Sequence, residues 1–161
     1  MPIMPMRLTA LLLGLAVLAA HQVVTFAADA AAVRTLKVRT GVNNAMKFDL
    51  ETLTAAPGET LRIVLTNETT LPKAVMGHNW VLLTAGSDPV AYAMAAAGDV
   101  ASGYVPAKLK DKVLAVIPVL GPNETGEVTF QVPAKPGDYP FLCSFPGHCV
   151  IGMKGVLRVK G

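Results

Sequence analysis

From Arg34 onward apolar and polar residues alternate with a period of two: Leu36 and Val38, then Met46, Phe48 and Leu50, then Leu61, Ile63 and Leu65. Alternate side chains of an extended chain face opposite ways, so each run predicts a strand with one buried face. The pattern returns in Val113, Ala115 and Ile117, in Val128, Phe130 and Val132, and around Val156 and Arg158. Turn signals separate the runs: Pro57-Gly58, Gly121-Pro122-Asn123, Pro136-Gly137-Asp138 and Pro146-Gly147. Short strands punctuated in this way predict an all-β antiparallel sandwich. One stretch departs from period two. Asp88 suits a helix cap, Pro89 a first helical turn, and the alanine-rich run from Ala91 to Ala97 continues to Gly98, which predicts one short helical insertion around residues 88–98.

The N-terminus follows a different rule. Arg7 precedes an apolar run from Leu11 to Ala20, and small residues follow at Thr25, Ala27, Ala28 and Ala30. That order predicts a secretory signal peptide over residues 1–27, cleaved between 27 and 30. A membrane span needs about 20 consecutive apolar residues, whereas this run stops at His21 and Gln22. The expectation is a secreted or periplasmic mature chain that does not span a membrane. Residues 34–161 then form one domain around one core.

Composition changes this picture little. The 52% hydrophobic content owes part of its size to the leader. Without Arg7 the chain keeps 13 basic against 11 acidic residues, and the Lys and Arg are scattered singly, with no basic and aromatic stripe for nucleic acid. Two sequons, Asn67-Glu68-Thr69 and Asn123-Glu124-Thr125, are short enough to arise by chance and carry no weight.

Histidine and cysteine are more informative. The chain has three His and two Cys. His21 leaves with the leader, so the domain keeps His78, His148, Cys143 and Cys149. Three of these, and Met153, stand in Cys143-Ser144-Phe145-Pro146-Gly147-His148-Cys149-Val150-Ile151-Gly152-Met153. Thiolate, imidazole and thioether thus meet in one loop, stiffened by Pro146. A second imidazole, His78 in His78-Asn79-Trp80, must arrive from another strand. Two imidazoles, one thiolate and a long thioether contact form a ligand set that accommodates both oxidation states of copper. A Cys143–Cys149 disulfide in an oxidising compartment is the competing explanation. A free Cys149 is the expectation, because metal binding commits the Cys143 thiolate. Trp80 reads as core, and Phe145 and Pro146 as packing at the edge of the loop.

The segments Leu71-Pro72-Lys73-Ala74-Val75-Met76-Gly77-His78-Asn79-Trp80 and Cys143 to Gly155 resemble the two copper-binding segments of the cupredoxins, the type 1 blue-copper family of azurin and auracyanin. The likeness extends more weakly from about residue 34 to the end. It implies a Greek-key β-sandwich binding one type 1 copper ion. It also implies that His78, Cys143 and His148 are strong ligands, Met153 a weak axial one and the Gly77 carbonyl an opposite axial contact. Asn79 and Ser144 would pin the two loops together, and the N–H groups of Asn79 and Phe145 would reach the thiolate. Two departures stand out. The step from His148 to Met153 is five residues, one longer than in azurin, and no cysteine pair lies outside the ligand loop to form azurin's structural disulfide.

The function this implies is one-electron transfer by Cu(I)/Cu(II). The implied partners are redox proteins such as c-type cytochromes or copper enzymes, docking on an apolar patch of Leu71, Val75, Met76, Pro146 and Val150 beside His148. An enzyme with a second copper centre would need further histidines, so no enzymatic activity is expected. A copper-delivery or storage protein is the alternative. It would favour Met- or His-rich tracts, and the domain has only Met46, Met76, Met94 and Met153, widely separated.

Overall fold

The computed structural model describes residues 32–161; the expected signal peptide at 1–27 lies outside them. Eight strands form two sheets: β1 (Arg34–Thr40), β3 (Thr60–Asn67) and β6 (Thr125–Gln131) in the order β1-β3-β6, and β2 (Thr52–Ala55), β4 (His78–Leu83), β5 (Val113–Leu120), β7 (Gly137–Leu142) and β8 (Lys154–Val159) in the order β2-β8-β7-β4-β5. The fold is a Greek-key β-sandwich, as expected. It is mixed rather than purely antiparallel, because β1 runs parallel to β3 and β2 parallel to β8.

In β3 the period-two reading holds: Leu61, Ile63 and Leu65 are fully buried while the residues between them are half-exposed. Each such side chain stabilises the fold by about 1.5–3 kcal/mol relative to exposure. These residues meet Trp80, Ile117, Phe141 and Leu157 in the core between the sheets. Strand β4 is buried throughout. Its odd and even residues serve two cores, Trp80 and Leu82 the inter-sheet one, Val81 and Leu83 a smaller cluster.

The expected strand at Met46–Leu50 is absent. Phe48 makes one bridge to Thr40, and the rest folds back on the end of β1. The Arg39 N–H donates to Asp49 Oδ1 at 2.7 Å and the Asp49 N–H donates to the Arg39 carbonyl at 2.9 Å. The local pairing of Asp49 overrides the alternation, although Phe48 itself reaches the core.

The helical insertion is present as α2 (Pro89–Ala96). The Asp88 carboxylate accepts from the N–H groups of Val90 and Ala91 at 2.8 and 3.2 Å, a cap worth about 1 kcal/mol. Tyr92, Ala93 and Ala96 cover the second cluster. Two 3-10 turns, Val100–Ser102 and Ala107–Lys112, extend the insertion back to β5. A four-residue helix, α1 (Lys73–Met76), precedes β4. No helix among the described residues is long and apolar enough to cross a membrane.

Candidate metal centre

His78 is the first residue of β4, reached from α1 through Gly77. A Cβ on Gly77 would stand 2.6 Å from the Lys73 carbonyl oxygen and 2.6 Å from Val119 Cγ1, so only glycine lets α1 pack this closely. Pairing between β4 and β5 shifts register from His78↔Leu120 to Trp80↔Ile117. A bulge of this kind re-aims the side chain beside it. The Asn67 amide holds the approach, donating to the carbonyls of Leu120 at 3.0 Å and Met76 at 3.4 Å.

Cys143 follows the last residue of β7, and its loop closes before β8. The Cys143 N–H donates to the Met153 carbonyl (3.1 Å), the Met153 N–H to that of His148 (3.0 Å) and the His148 N–H to that of Phe145 (3.1 Å). Gly147 and Gly152 take φ of 85° and 116°, which a side chain would strain. The turn signal at Pro146-Gly147 is thereby explained.

These elements bring His78, Cys143 and His148 together, with their ligand atoms within 4.8 Å of one another. Cys143 Sγ lies 3.5 Å from His148 Nδ1 and 3.9 Å from His78 Nδ1, and the two Nδ1 atoms are 3.1 Å apart. Three ligands at bond lengths of about 2.0–2.3 Å around one ion would stand roughly 3.5–3.8 Å apart. The observed sides of 3.1, 3.5 and 3.9 Å lie within about 0.4 Å of that range, close enough for small side-chain shifts to centre one such ion. Among the described residues these three form the one His, Cys and acidic group of this kind. His78 and Cys143 are fully buried, and His148 is 3% exposed. Met153 is also fully buried, in the same core as Cys143.

The electrostatics suit a cation. Burial, with the neighbouring His148, lowers the pKa of His78 to about 4; burial also lowers that of His148 to about 4. Both rings are neutral donors at neutral pH. Burial pushes the Cys143 thiol up to about 12, against the opposing pull of the Asn79 and Phe145 N–H groups. An arriving metal therefore displaces the thiol proton, and those two N–H groups stabilise the thiolate that results. A soft thiolate with two imidazoles and a nearby thioether is a donor set for copper.

The two loops are pinned as expected, by hydrogen bonds between Asn79 and Ser144. Tyr104 was not anticipated. It holds the left-handed φ of 64°, which a bulky residue seldom adopts, and its carbonyl accepts the Ser144 hydroxyl at 2.7 Å. Its ring meets Phe145 edge-on at 5.2 Å, and Phe145 packs on His148 at 4.7 Å. A partner 40 residues away leaves no local signal in the sequence. Of the expected surface patch, Val75 and Val150 are 60% and 57% exposed, Pro146 is exposed and Leu71 half-buried, but Met76, the last residue of α1, is buried and does not contribute. Ile151, 60% exposed, stands next to Val150 instead. Both cysteines are free thiols.

Residues 35–160 match the family model described as copper binding proteins, plastocyanin/azurin family. Auracyanin-B of Chloroflexus aurantiacus is 36% identical over 127 residues, 78% of this chain, and the chain spans about half (52%) of that protein's length. An azurin of Pseudomonas denitrificans is 39% identical over 124 residues, which cover 73% of this chain and 93% of that one. Among solved structures, auracyanin A, described as a "blue" copper protein from the same thermophilic photosynthetic bacterium, superposes with a TM-score of 0.70 at 32% identity, covering 80% of this chain and all of the other.

Proposed function

The chain belongs to the plastocyanin/azurin family of copper-binding proteins, and we propose that it is a type 1 blue-copper carrier that shuttles one electron between redox proteins. The observation that carries this reading is the buried triangle of His78, Cys143 and His148, which fits a single type 1 copper. In the proposal these three would hold the ion most strongly, with Met153 and the Gly77 carbonyl as weaker contacts. Copper supplies the exchange between Cu(I) and Cu(II). The chain's own residues keep the donors in place as the charge changes: Asn79 and Ser144 lock the loops, the N–H groups of Asn79 and Phe145 hold the thiolate, and the packed rings of Phe145 and Tyr104 exclude water.

His148, with its thin exposed edge, is the proposed port for the electron. Leu71, Val75, Pro146, Val150 and Ile151 are the proposed docking surface for a partner such as a c-type cytochrome or a copper enzyme. A small apolar surface suits the brief contacts of electron carriers. Burial of all three strong donors supports electron transfer over copper delivery, in which the ion must leave. The chain has too few histidines for a second copper centre, which supports a carrier over an enzyme. Removal of residues 1–27 on export to the periplasm or beyond completes the proposal.

The test is the visible absorption and electron paramagnetic resonance of the domain loaded with Cu(II), beside its Cys143→Ser variant. An intense thiolate-to-copper band with narrow copper hyperfine splitting, both lost in the variant, is the expected result. A pale, ordinary Cu(II) spectrum would overturn the reading.

A further inference from the structure

Cys149 is the one chemically active side chain beside the centre that the proposed function leaves unused. Its thiol is fully buried, but not with Cys143. It lies in the cluster beneath α2 with Val81, Leu83, Tyr92, Ala93, Ala96 and Leu142, whereas Cys143 lies in the core between the sheets. Leu142 and Cys143 are successive residues leading out of β7 and point to opposite faces, as successive residues of an extended chain do. Cys149 packs on the Leu142 side. It stands outside the group formed by His78, Cys143 and His148, so it is placed neither as a fourth donor nor as a bridge to Cys143.

The thiol does have a partner: Cys149 Sγ donates to the Pro89 carbonyl at 3.4 Å, at the first residue of α2. A thiol is a weak donor, but this acceptor is firmly held. Pro89 has a ring-fixed φ, the Asp88 carboxylate caps the next two residues, and the Tyr92 N–H donates to the Asp88 carbonyl at 3.0 Å. On its other side Cys149 is joined directly to His148. Its carbonyl accepts the Gly152 N–H at 3.1 Å, one residue before Met153, while the His148 carbonyl accepts the Met153 N–H at 3.0 Å. A second tie runs through β7, where Leu142 packs in the same cluster and the Cys143 N–H donates to the Met153 carbonyl at 3.1 Å, but the thiol of Cys149 is the one that joins α2 to the residue directly after His148.

From this juxtaposition we infer that Cys149 is a positioning residue: its thiol latches the 143–153 loop to the first turn of α2 and so sets where His148 and Met153 stand relative to Cys143. The inference rests on the copper-carrier reading for its consequence, but the latch itself exists without metal. It gives α2 a role beyond covering a cluster, because a shift of the helix end is passed to the ligand loop.

The experiment compares wild type with Cys149→Val, which fills similar space without a donor, and Cys149→Ser, which keeps one. In the copper-loaded domain Cys149→Val should weaken Cu(II) binding about tenfold, the lower end of effects from groups behind metal ligands. It should also change the ratio of the thiolate-to-copper bands and the rhombicity of the paramagnetic spectrum. In the metal-free domain it should speed hydrogen exchange at the Gly152 and Met153 amides. Cys149→Ser should recover most of each change. Affinity, spectrum and exchange all unchanged in Cys149→Val would overturn the inference, as would Val and Ser variants that shift equally. Should Cys149→Val fail to fold, Ala93→Gly loosens the same helix from outside the loop; it should move the spectrum in the same direction, and an unmoved spectrum would again overturn the latch. A wild type without a blue band would sink the copper reading instead, and the exchange measurement would still decide the latch.

Discussion

Asn79 grips Ser144 at two points: its side-chain carbonyl accepts the Ser144 N–H at 2.8 Å and its amide donates to the Ser144 hydroxyl at 2.8 Å. One residue follows His78 and the other follows Cys143, so this pair is the shortest tie between the two halves of the centre. The Ser144 hydroxyl passes the bond on to the Tyr104 carbonyl.

Removing the grip should therefore cost both stability and metal. Asn79→Ala leaves the buried Ser144 N–H without a partner, a penalty of about 1–3 kcal/mol. Cu(II) affinity should fall about tenfold as the two halves loosen. Chemical unfolding followed by fluorescence of Trp80, the only tryptophan of the chain, measures the first. The indole is fully buried and its N–H has no partner, so its emission should lie at short wavelength and move sharply red on unfolding. A stability change within the error of the wild type would show that the grip is replaceable.

Two glycines separate the centre from the scaffold. Gly77→Ala drives a Cβ to 2.6 Å from the Lys73 carbonyl and Val119 Cγ1 beside His78, whereas Gly155→Ala drives one to 2.3 Å from Phe141 Cζ and 2.4 Å from the Glu51 carbonyl in the sheet core. Overpacking of this kind costs about 1–3 kcal/mol. Both variants should melt earlier. Only Gly77→Ala should also shift the copper spectrum, because only there is the displaced residue directly bonded to one of the three proposed strong ligands, His78. An altered spectrum in Gly155→Ala alone would reverse that assignment.

The donors set the pH range of the metal-free protein. His78 and His148 titrate near 6.5 when unfolded and about 4 when folded, both through burial. The unfolded chain therefore binds more protons between these values, and stability falls as pH drops from 6.5 towards 4. The thiol of Cys143 moves the other way, from 9.0 to about 12, again through burial. Here the folded chain holds the proton, so stability falls as pH rises above 9. Thermal unfolding of the metal-free domain should show a plateau between these limbs. His148→Gln should shrink the acid limb; an acid limb of undiminished height would assign it to other groups.

What was legible in the sequence followed from locality. Cys143, His148 and Met153 stand within eleven residues, so their gathering in one loop could be read directly, while β3 alternates buried with half-exposed residues and β6 half-buried with exposed ones. Strand β4 buries both faces and has no alternation to read. Strand β7 contains Gly137 and Pro140 and looks like a turn; it tolerates the proline because β4 pairs only with its last two residues, Phe141 and Leu142. Tyr104, Asn67 and the Cys149–Pro89 bond act across distances in the chain that no pattern records. The false strand at Met46–Leu50 had the right periodicity, but it meets β1 only at the Thr40–Phe48 bridge and the bonds between Arg39 and Asp49, too short a pairing to extend into a strand.

The docking surface offers a test that leaves the copper untouched. Val150 and Ile151 are 57% and 60% exposed on the loop that carries His148, and Val75 is 60% exposed on α1, which leads to His78. An acidic group placed there must be desolvated when an apolar partner face approaches, and a loss of about 1.4 kcal/mol in the encounter is a tenfold fall in rate. Val150→Asp and Ile151→Asp should each slow electron transfer with a c-type cytochrome about tenfold, while the blue band and melting temperature stay at wild-type values. Leu114→Asp is the control. Leu114 is 38% exposed near the start of β5, whose far end pairs with His78, so a charge there is remote from the centre. Stopped-flow rates at two ionic strengths distinguish desolvation from long-range charge repulsion, since only the latter is screened by salt. Equal slowing by all three variants would mean that overall charge governs the encounter. Slowing confined to Val150→Asp and Ile151→Asp, at both ionic strengths, would place the partner over His148.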